Sequence, residues 1–249
     1  MESMGRTFLL ALGLLAFAPA AFCSELDGRS IENMGSFRVG IFGGAFLPNS
    51  VSWSGSGLLA GAPFSANGKI SSHTGSSFGG LVGYGINEYL NAEMDLGYLS
   101  TTFEKFTGNI SITGLGSFNG SAALSGRVNT FAGFLNLLVT PIGTRGTLTP
   151  YIGAGPGWAH SSEKLRSFSL GGMTLPVNSS GSETDFAADL VAGVDVKLMP
   201  QLELGLVYGY FWIDAKHLGS GAGIQARSGA VSGHAIGLLL EYQFARGNP

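Results

Sequence analysis

The chain has little cysteine, little charge and no long apolar run. Its single cysteine, Cys23, excludes an internal disulfide. No stretch reaches the roughly eighteen uninterrupted apolar residues of a transmembrane helix, which excludes an α-helical membrane protein. The 13 basic residues are scattered and are outnumbered by 16 acidic ones. No basic run marks a nucleic-acid surface, so no nucleic-acid partner is expected.

The first residues have the pattern of a secretory signal peptide. Arg6 precedes an uncharged run with an apolar core at residues 8–18, and small residues follow at Ala20 and Ala21. We therefore expect a signal peptide over residues 1–23, with the cleavage point left open among several small positions. A short polar tail over 24–35 is expected to follow it.

Beyond this tail, apolar residues alternate with small or polar ones. The pattern is clearest between His234 and Phe244, where one parity is mostly apolar and the other includes Glu241 and Gln243. A period of two is that of a strand with one apolar and one polar face. Eight such segments are predicted, at about 36–46, 78–86, 90–98, 127–140, 148–160, 185–197, 201–213 and 234–244.

The connectors between these segments alternate between a few residues and roughly twenty to thirty, which is typical of an outer-membrane β-barrel. We predict an all-β fold over residues 36–244: an eight-stranded antiparallel up-and-down transmembrane β-barrel with short periplasmic turns and four long extracellular loops. Residues 245–249 form a C-terminal extension. Eight strands enclose a lumen that side chains just fill, which excludes an open diffusion porin. A soluble β-sandwich is the alternative.

Aromatic residues lie near the predicted strand ends, as expected of girdles at the two membrane interfaces. The periplasmic girdle is predicted from Phe37, Tyr89, Tyr151, Tyr242 and Phe244. The outer girdle is predicted from Phe46, Tyr98, Trp158 and Trp212.

Charged residues occur at inward positions of the predicted strands. Arg38 on the first strand and Glu241 on the last become neighbours when the barrel closes, so a buried ion pair is predicted. Glu203 is a candidate third member, and Asn136 is placed inward. The acidic residues expected higher in the lumen, with too few bases to neutralise them, are Glu93, Asp95 and Asp189. Either a structural network with water or a narrow cation-preferring path fits this pattern.

Three stretches resemble a known family: NLLVTPIGTRGTLTPYIGAGPGWAH (136–160), FAADLVAGVDVKLMPQLELGLVYGYF (186–211) and GHAIGLLLEYQF (233–244). They are similar to the opacity-type outer-membrane proteins, small barrels related to the OmpA-like and OmpX-like transmembrane domains. The resemblance implies an outer-membrane location with lipid around the barrel. It implies a structural, adhesion or surface-antigen role, with a host or cell-surface ligand at the loops, and no catalytic residues. It also implies that the barrel-assembly machinery reads the C-terminal strand, which here is followed by residues 245–249.

One segment at the outer rim has the residue types of an ester hydrolase. A histidine that activates a serine, oriented by a carboxylate, is the arrangement of nucleophilic hydrolysis, and His160, Ser162 and Glu163 offer those groups. The pattern is similar to the His-x-Ser of lipid A deacylase barrels. An ordinary loop is the interpretation that we favour. The four histidines have no metal-ligand spacing, so no metal or cofactor is implied.

The sequence therefore predicts a surface-exposed structural or interaction protein without catalysis. Two alternatives from other classes stay open. One is a narrow cation channel, and the other is a lipid-modifying enzyme that uses His160 and Ser162.

Overall fold

The structure, a computed structural model, describes residues 35–59, 62–114, 116–144, 146–170, 173–214, 217–218 and 225–244. Its strands are β1 (Phe37–Pro48), β2 (Val51–Leu59), β3 (Ala62–Ser72), β4 (Gly75–Gly85), β5 (Leu90–Ile112), β6 (Gly116–Val139), β7 (Leu148–Leu170), β8 (Met173–Met199), β9 (Leu202–Ile213), β10 (His217–Leu218), β11 (Gln225–Ser228) and β12 (Val231–Phe244). Across these ranges no helix is long and apolar enough to cross a membrane. The predicted signal peptide, the tail up to residue 34 and the extension 245–249 lie outside the described residues.

Eight of the strands close into a ring in the order β1, β4, β5, β6, β7, β8, β9 and β12. Closure joins the first strand to the last, with Phe37 opposite Phe244 and Pro48 opposite Gly233. Each ring strand therefore has a hydrogen-bonded neighbour on both sides, which is how a barrel removes the edges of a sheet. The predicted eight-stranded antiparallel barrel is confirmed.

Three short turns connect ring strands at one end of the barrel. In the turn between β4 and β5, Asn87 Oδ1 accepts hydrogen bonds from Tyr89 N at 2.8 Å and Leu90 N at 2.9 Å. The turn between β6 and β7 places Gly143 at φ 72°, a left-handed conformation that favours glycine. Gly35 N donates to Gly85 O at this end, which also holds the last paired residue, Phe244.

The four long connectors are where they were predicted, but their described residues are largely strand and not irregular loop. β5 and β6 are 23 and 24 residues long, and β7 and β8 are 23 and 27 residues long. Each pair forms a hairpin that continues the ring outward. Within the membrane, a strand is recognisable by alternating apolar residues. Beyond the membrane this alternation ends, but the backbone hydrogen bonding between the strands continues.

The first and fourth connectors also form strands, after short interruptions. Asn49 and Ser50 separate β2 from β1, and β2 pairs with β3 and with β11. β3 takes over from β4 beside the outer half of β5. We call this upper region the outer tier; it comprises β2, β3, β10, β11, β5 beyond Thr101, β6 before Thr130, β7 beyond His160 and β8 before Phe186.

The outward faces of the two levels differ in chemistry. Around the ring they are apolar, as on β12, where Ile236, Leu238 and Leu240 are exposed while Leu239 and Glu241 are buried. In the outer tier they carry hydroxyl pairs, such as Thr107 with Ser121 at 3.0 Å. An apolar belt below a hydroxyl-bearing surface is the division expected at the edge of a membrane.

Candidate functional site

The lower half of the lumen contains an ion-pair network centred on Arg38. Arg38 Nη1 lies 3.3 Å from Glu241 Oε2, and Arg38 Nη2 lies 3.3 Å from Glu93 Oε2. The three side chains are 3–7% exposed. They come from β1, β5 and β12, and each is at an inward position of its strand. The expectation that Glu93 lies higher in the lumen without a base is wrong, because Glu93 is on the level of Arg38 and pairs with it. One guanidinium thus bridges two buried carboxylates, and a planar fork with several donors suits this role.

A second group of carboxylates lies beside this network. One oxygen each of Asp195, Glu203 and Glu241 lie within 4.8 Å of one another. Asp195, which is 3% exposed, was missing from the predicted site although it has inward parity on β8. Lys197 lies opposite Glu203 on the neighbouring strand. A cavity of about 10 Å³ borders Arg38, Asp195 and Glu203, which is room for about one water molecule.

Asn136 holds two further carboxylates together at the next level of the lumen. Its Nδ2 donates to Asp95 Oδ2 at 2.8 Å and to Asp189 Oδ2 at 3.1 Å. Asn136 is 3% exposed. The carboxylates in the lower half of the lumen outnumber the guanidinium of Arg38; they are Glu93, Asp95, Asp189, Asp195, Glu203 and Glu241.

The upper half of the ring interior is apolar. The rings of Phe46 and Phe211 lie with their centroids 5.1 Å apart. Around them are Ala132, Ala159, Ala187 and Ile213, which are 0–3% exposed. The assignment of Phe46 to the outer girdle is wrong, because its parity on β1 matches that of Arg38 and its side chain is 5% exposed. We call these six residues the aromatic layer.

Most of the remaining predicted girdle residues lie on the outer face, in aromatic pairs. The pairs on the side of the short turns are Phe37 with Tyr84 and Tyr242 with Phe244, and those on the other side are Tyr98 with Phe78, Trp158 with Phe131 and Trp212 with Phe186. Tyr89 is 49% exposed. The assignment of Tyr151 to a girdle is wrong, because it is 5% exposed and packs inside the barrel with Leu138 and Val191.

The rim segment does not form the hydrogen bond that the enzymatic interpretation requires. His160 is exposed, and its Nδ1 is hydrogen bonded to Thr184 Oγ1 on β8 at 2.8 Å. Ser162 shares the outward parity of His160 and is half-buried, whereas Glu163 has the opposite parity. The structure therefore places the three side chains on the same strand without assembling them into a triad.

Comparison with known proteins agrees with this geometry. Residues 7–244 match a family model described as outer membrane protein beta-barrel domain. The fold is similar to that of outer membrane protein OprG from Pseudomonas aeruginosa, at 14% identity over 86% of this chain and 98% of that chain, with a TM-score of 0.53. Weaker similarities include Neisserial surface protein A, at 17% identity over 82% of this chain and 95% of that chain, with a TM-score of 0.42. No curated protein sequence matches the chain.

The match to the family model covers all of the described residues, and the likeness to OprG supports the fold alone. The short turns are periplasmic, the long hairpins are extracellular, and the apolar belt between them contacts lipid. The protein lies in the cell outer membrane, and the chain belongs to the outer membrane protein beta-barrel domain family.

Proposed function

We propose that this protein is a surface interaction protein that presents the outer tier to the environment and does not catalyse a reaction. The continuity of the two long hairpins carries the proposal. From Phe131 in the outer girdle to Gly116 at the hairpin tip, β6 continues for about 50 Å of strand. A strand needs only about ten residues to cross the membrane, so more than half of β6 lies beyond it.

The chemistry of the outer tier supports a role in contact. Its outward face bears cross-strand hydroxyl pairs such as Ser111 with Ser117 at 2.9 Å, and the aromatic ring of Phe118 is 42% exposed near the tip. Side chains of this kind give adaptable hydrogen bonding with little charge, and a paired backbone holds them in fixed positions. A host or cell-surface ligand is the partner class that this surface suits, and insertion through the barrel-assembly machinery at β12 is part of the proposal.

A narrow cation channel is the second candidate. The surplus of carboxylates around Arg38 favours cations over anions. Against this, Arg38 and the aromatic layer fill successive cross-sections of the lumen. Conductance of the refolded barrel in a planar bilayer separates the two candidates, because the interaction protein is expected to give no steps above the baseline.

A lipid-modifying enzyme has less support, because His160 is bonded to Thr184 and not to Ser162. A Ser162→Ala variant tests it directly. Our proposal expects the acylation of lipid A in cells to be the same with the variant and with the wild type. Loss of a modified lipid species with the variant alone would establish the enzyme.

Trimming one hairpin tests the surface role. Residues 165–179, in which β7 and β8 pair, are replaced by Asn-Gly, a sequence that favours a tight hairpin turn. Cells that express this variant should attach to epithelial monolayers about tenfold less than cells that express the wild type, as expected when a few contacts are removed. The control replaces residues 144–147 in a periplasmic turn by glycine and serine, and it should attach normally.

Both variants are first checked by gel mobility in SDS with and without boiling. A closed barrel resists SDS until heated because its backbone groups are paired around the ring. A trimmed variant that shifts on boiling and still attaches like the wild type contradicts the proposed role.

A further inference from the structure

Three of the exposed basic side chains of the outer tier lie near one another on two paired strands: Arg127 on β6, and Lys164 and Arg166 on β7. We call them the basic patch. Arg127 and Lys164 occupy directly opposed positions in the pairing of the two strands. Like charges directly opposite one another destabilise a strand pair. An anion that binds between the two side chains removes this repulsion.

The height of the basic patch above the membrane can be judged from the outer girdle. Phe131 and Trp158, with ring centroids 5.5 Å apart, mark the interface on these same two strands. Arg127 lies four residues further along β6, which is about 13 Å of strand and about 10 Å of height at the usual tilt. Polar headgroups occupy about 5–8 Å on each side of the hydrocarbon. The long stems of Arg and Lys can reach back over the remaining distance.

The residues directly opposed to Arg127 on β5 and to Lys164 on β8 are uncharged. Thr102 is opposed to Arg127 on β5, and Ser180 is opposed to Lys164 on β8. Glu183 and Asp185 face inward at this height, since Glu183 is opposed to the buried Ser161 and Asp185 to the buried Ala159. Glu104, in the irregular stretch of β5 just beyond Thr102, is partly exposed and pairs with Lys105 at 3.7 Å. The residues directly opposed to the patch therefore offer hydroxyl groups and no carboxylate.

A β-bulge contributes the third cation. The register of β7 shifts between Leu165 and Ser167, so that Arg166 has no direct partner in the pairing with β8. Bulges bend a strand and redirect a side chain. Arg166 is exposed, two residues after Lys164.

We infer that the basic patch binds the phosphate groups of phosphorylated glycolipid in the outer leaflet and holds the β6–β7 side of the outer tier to the membrane surface. Phosphate oxygens accept hydrogen bonds, and the patch offers charged donors with hydroxyl groups beside them. Its height favours a headgroup over a ligand on another cell, which would approach the hairpin tips. This inference is independent of the proposed surface role.

The experiment compares two variants that lose equal charge. Arg127→Gln with Lys164→Gln removes two cations of the patch, while Lys69→Gln with Lys105→Gln removes two exposed cations from higher in the same sheet, one of them paired with Glu104 at 3.7 Å. Each protein is refolded into phosphatidylcholine nanodiscs that contain bisphosphorylated lipid A, or its dephosphorylated form. After mild solubilisation, the lipid A retained per chain is measured by mass spectrometry.

The wild type and the Lys69/Lys105 variant should retain the phosphorylated form in preference to the dephosphorylated form. The Arg127/Lys164 variant should bind it about thirtyfold more weakly. Retention of bound lipid A in the presence of millimolar inorganic phosphate supports the lipid assignment.

Three results would overturn the inference. One is equal weakening in the two double variants, which would indicate a general charge effect. Another is equal retention of the two lipid forms by the wild type. The third is heparin binding without lipid A that only the Arg127/Lys164 variant loses, which would make a sulfated polysaccharide the ligand. All variants must shift on boiling in SDS, which shows that the barrel has folded.

Discussion

The two halves of the ring interior are filled in different ways. The lower half is held by ionic and hydrogen-bonded partners around Arg38 and Asn136, while the upper half is filled by the apolar volume of Phe46, Phe211 and small residues. Substituting one charged member of the network lowers the stability of the barrel strongly, because the remaining charges stay buried without a counter-charge. A packed layer loses only the volume that is removed. Stability should therefore depend on the charge and hydrogen-bonding groups of side chains in the lower half, and on the volume of side chains in the upper half.

The largest effect is expected from Arg38→Met. This change leaves Glu93 and Glu241 buried without their cation, which should lower the free energy of unfolding by about 3–5 kcal/mol. Urea unfolding of the refolded barrel in lipid vesicles, followed by tryptophan fluorescence, measures the loss.

A rescue variant sharpens this test. Combining Arg38→Met with Glu93→Gln and Glu241→Gln removes both charges that lost their partner, so most of the stability should return. If the single variant loses less than about 1 kcal/mol, the lower lumen behaves like solvated surface and the contrast between the two halves disappears.

Phe211→Ala should lower the free energy of unfolding by about 3 kcal/mol, because it opens a cavity beside Phe46. Adding Glu93→Gln and Glu241→Gln to this variant should not restore its stability, because the lost interaction is apolar packing. Joint replacement of Phe46 and Phe211 by alanine should leave the planar-bilayer conductance at its baseline, since the Arg38 network still fills the lumen. Current steps in this double variant would show that the aromatic layer, and not the Arg38 network, blocks the passage of ions through the lumen.

Asn136→Leu should cost about 1–3 kcal/mol of unfolding free energy, because Asp95 and Asp189 lose a shared donor. The same urea measurement applies. Asn136→Gln keeps the amide and is the matched control, which should lie between the leucine variant and the wild type. A leucine variant as stable as the wild type would mean that water replaces the amide.

The smallest effect is expected outside the lumen, where Trp158→Leu keeps an apolar side chain in the girdle and loses the ring contact with Phe131. A loss of about 0.5–1.5 kcal/mol in unfolding free energy is expected for an aromatic pair. A loss as large as that of Phe211→Ala would indicate that the girdle stabilises the barrel as strongly as its interior.

Strand parity predicted much of this arrangement from the sequence. It placed Arg38 opposite the last strand, placed Asn136 inward and predicted the ring itself. Strand parity also indicates that Asp195, Phe46 and Tyr151 face inward. Phe46 and Tyr151 lie near strand ends but have inward parity, and their burial shows that parity is the better guide to which face a side chain occupies.

The outer tier could not be predicted in the same way. Alternation reveals a strand because lipid requires one face to be apolar, and above the membrane water removes that requirement. Residues 102–112 and 116–126 therefore resemble a loop in composition, although they belong to the paired strands β5 and β6. The shared donor at Asn136 also depends on which strands become neighbours across the lumen, and no single strand encodes that distance.

The ion pair between Arg38 and Glu241 joins residues that are 203 positions apart in the chain. Contacts of such sequence separation form late, because the loop that they close loses entropy before any contact stabilises it. Arg38 acquires its second carboxylate only when β12 pairs with β1, the pairing that closes the ring. The pair therefore forms only in a closed barrel: without the pairing of β1 and β12, β1 is an edge strand and Arg38 lacks Glu241, and closure removes the edge and completes the ion pair together.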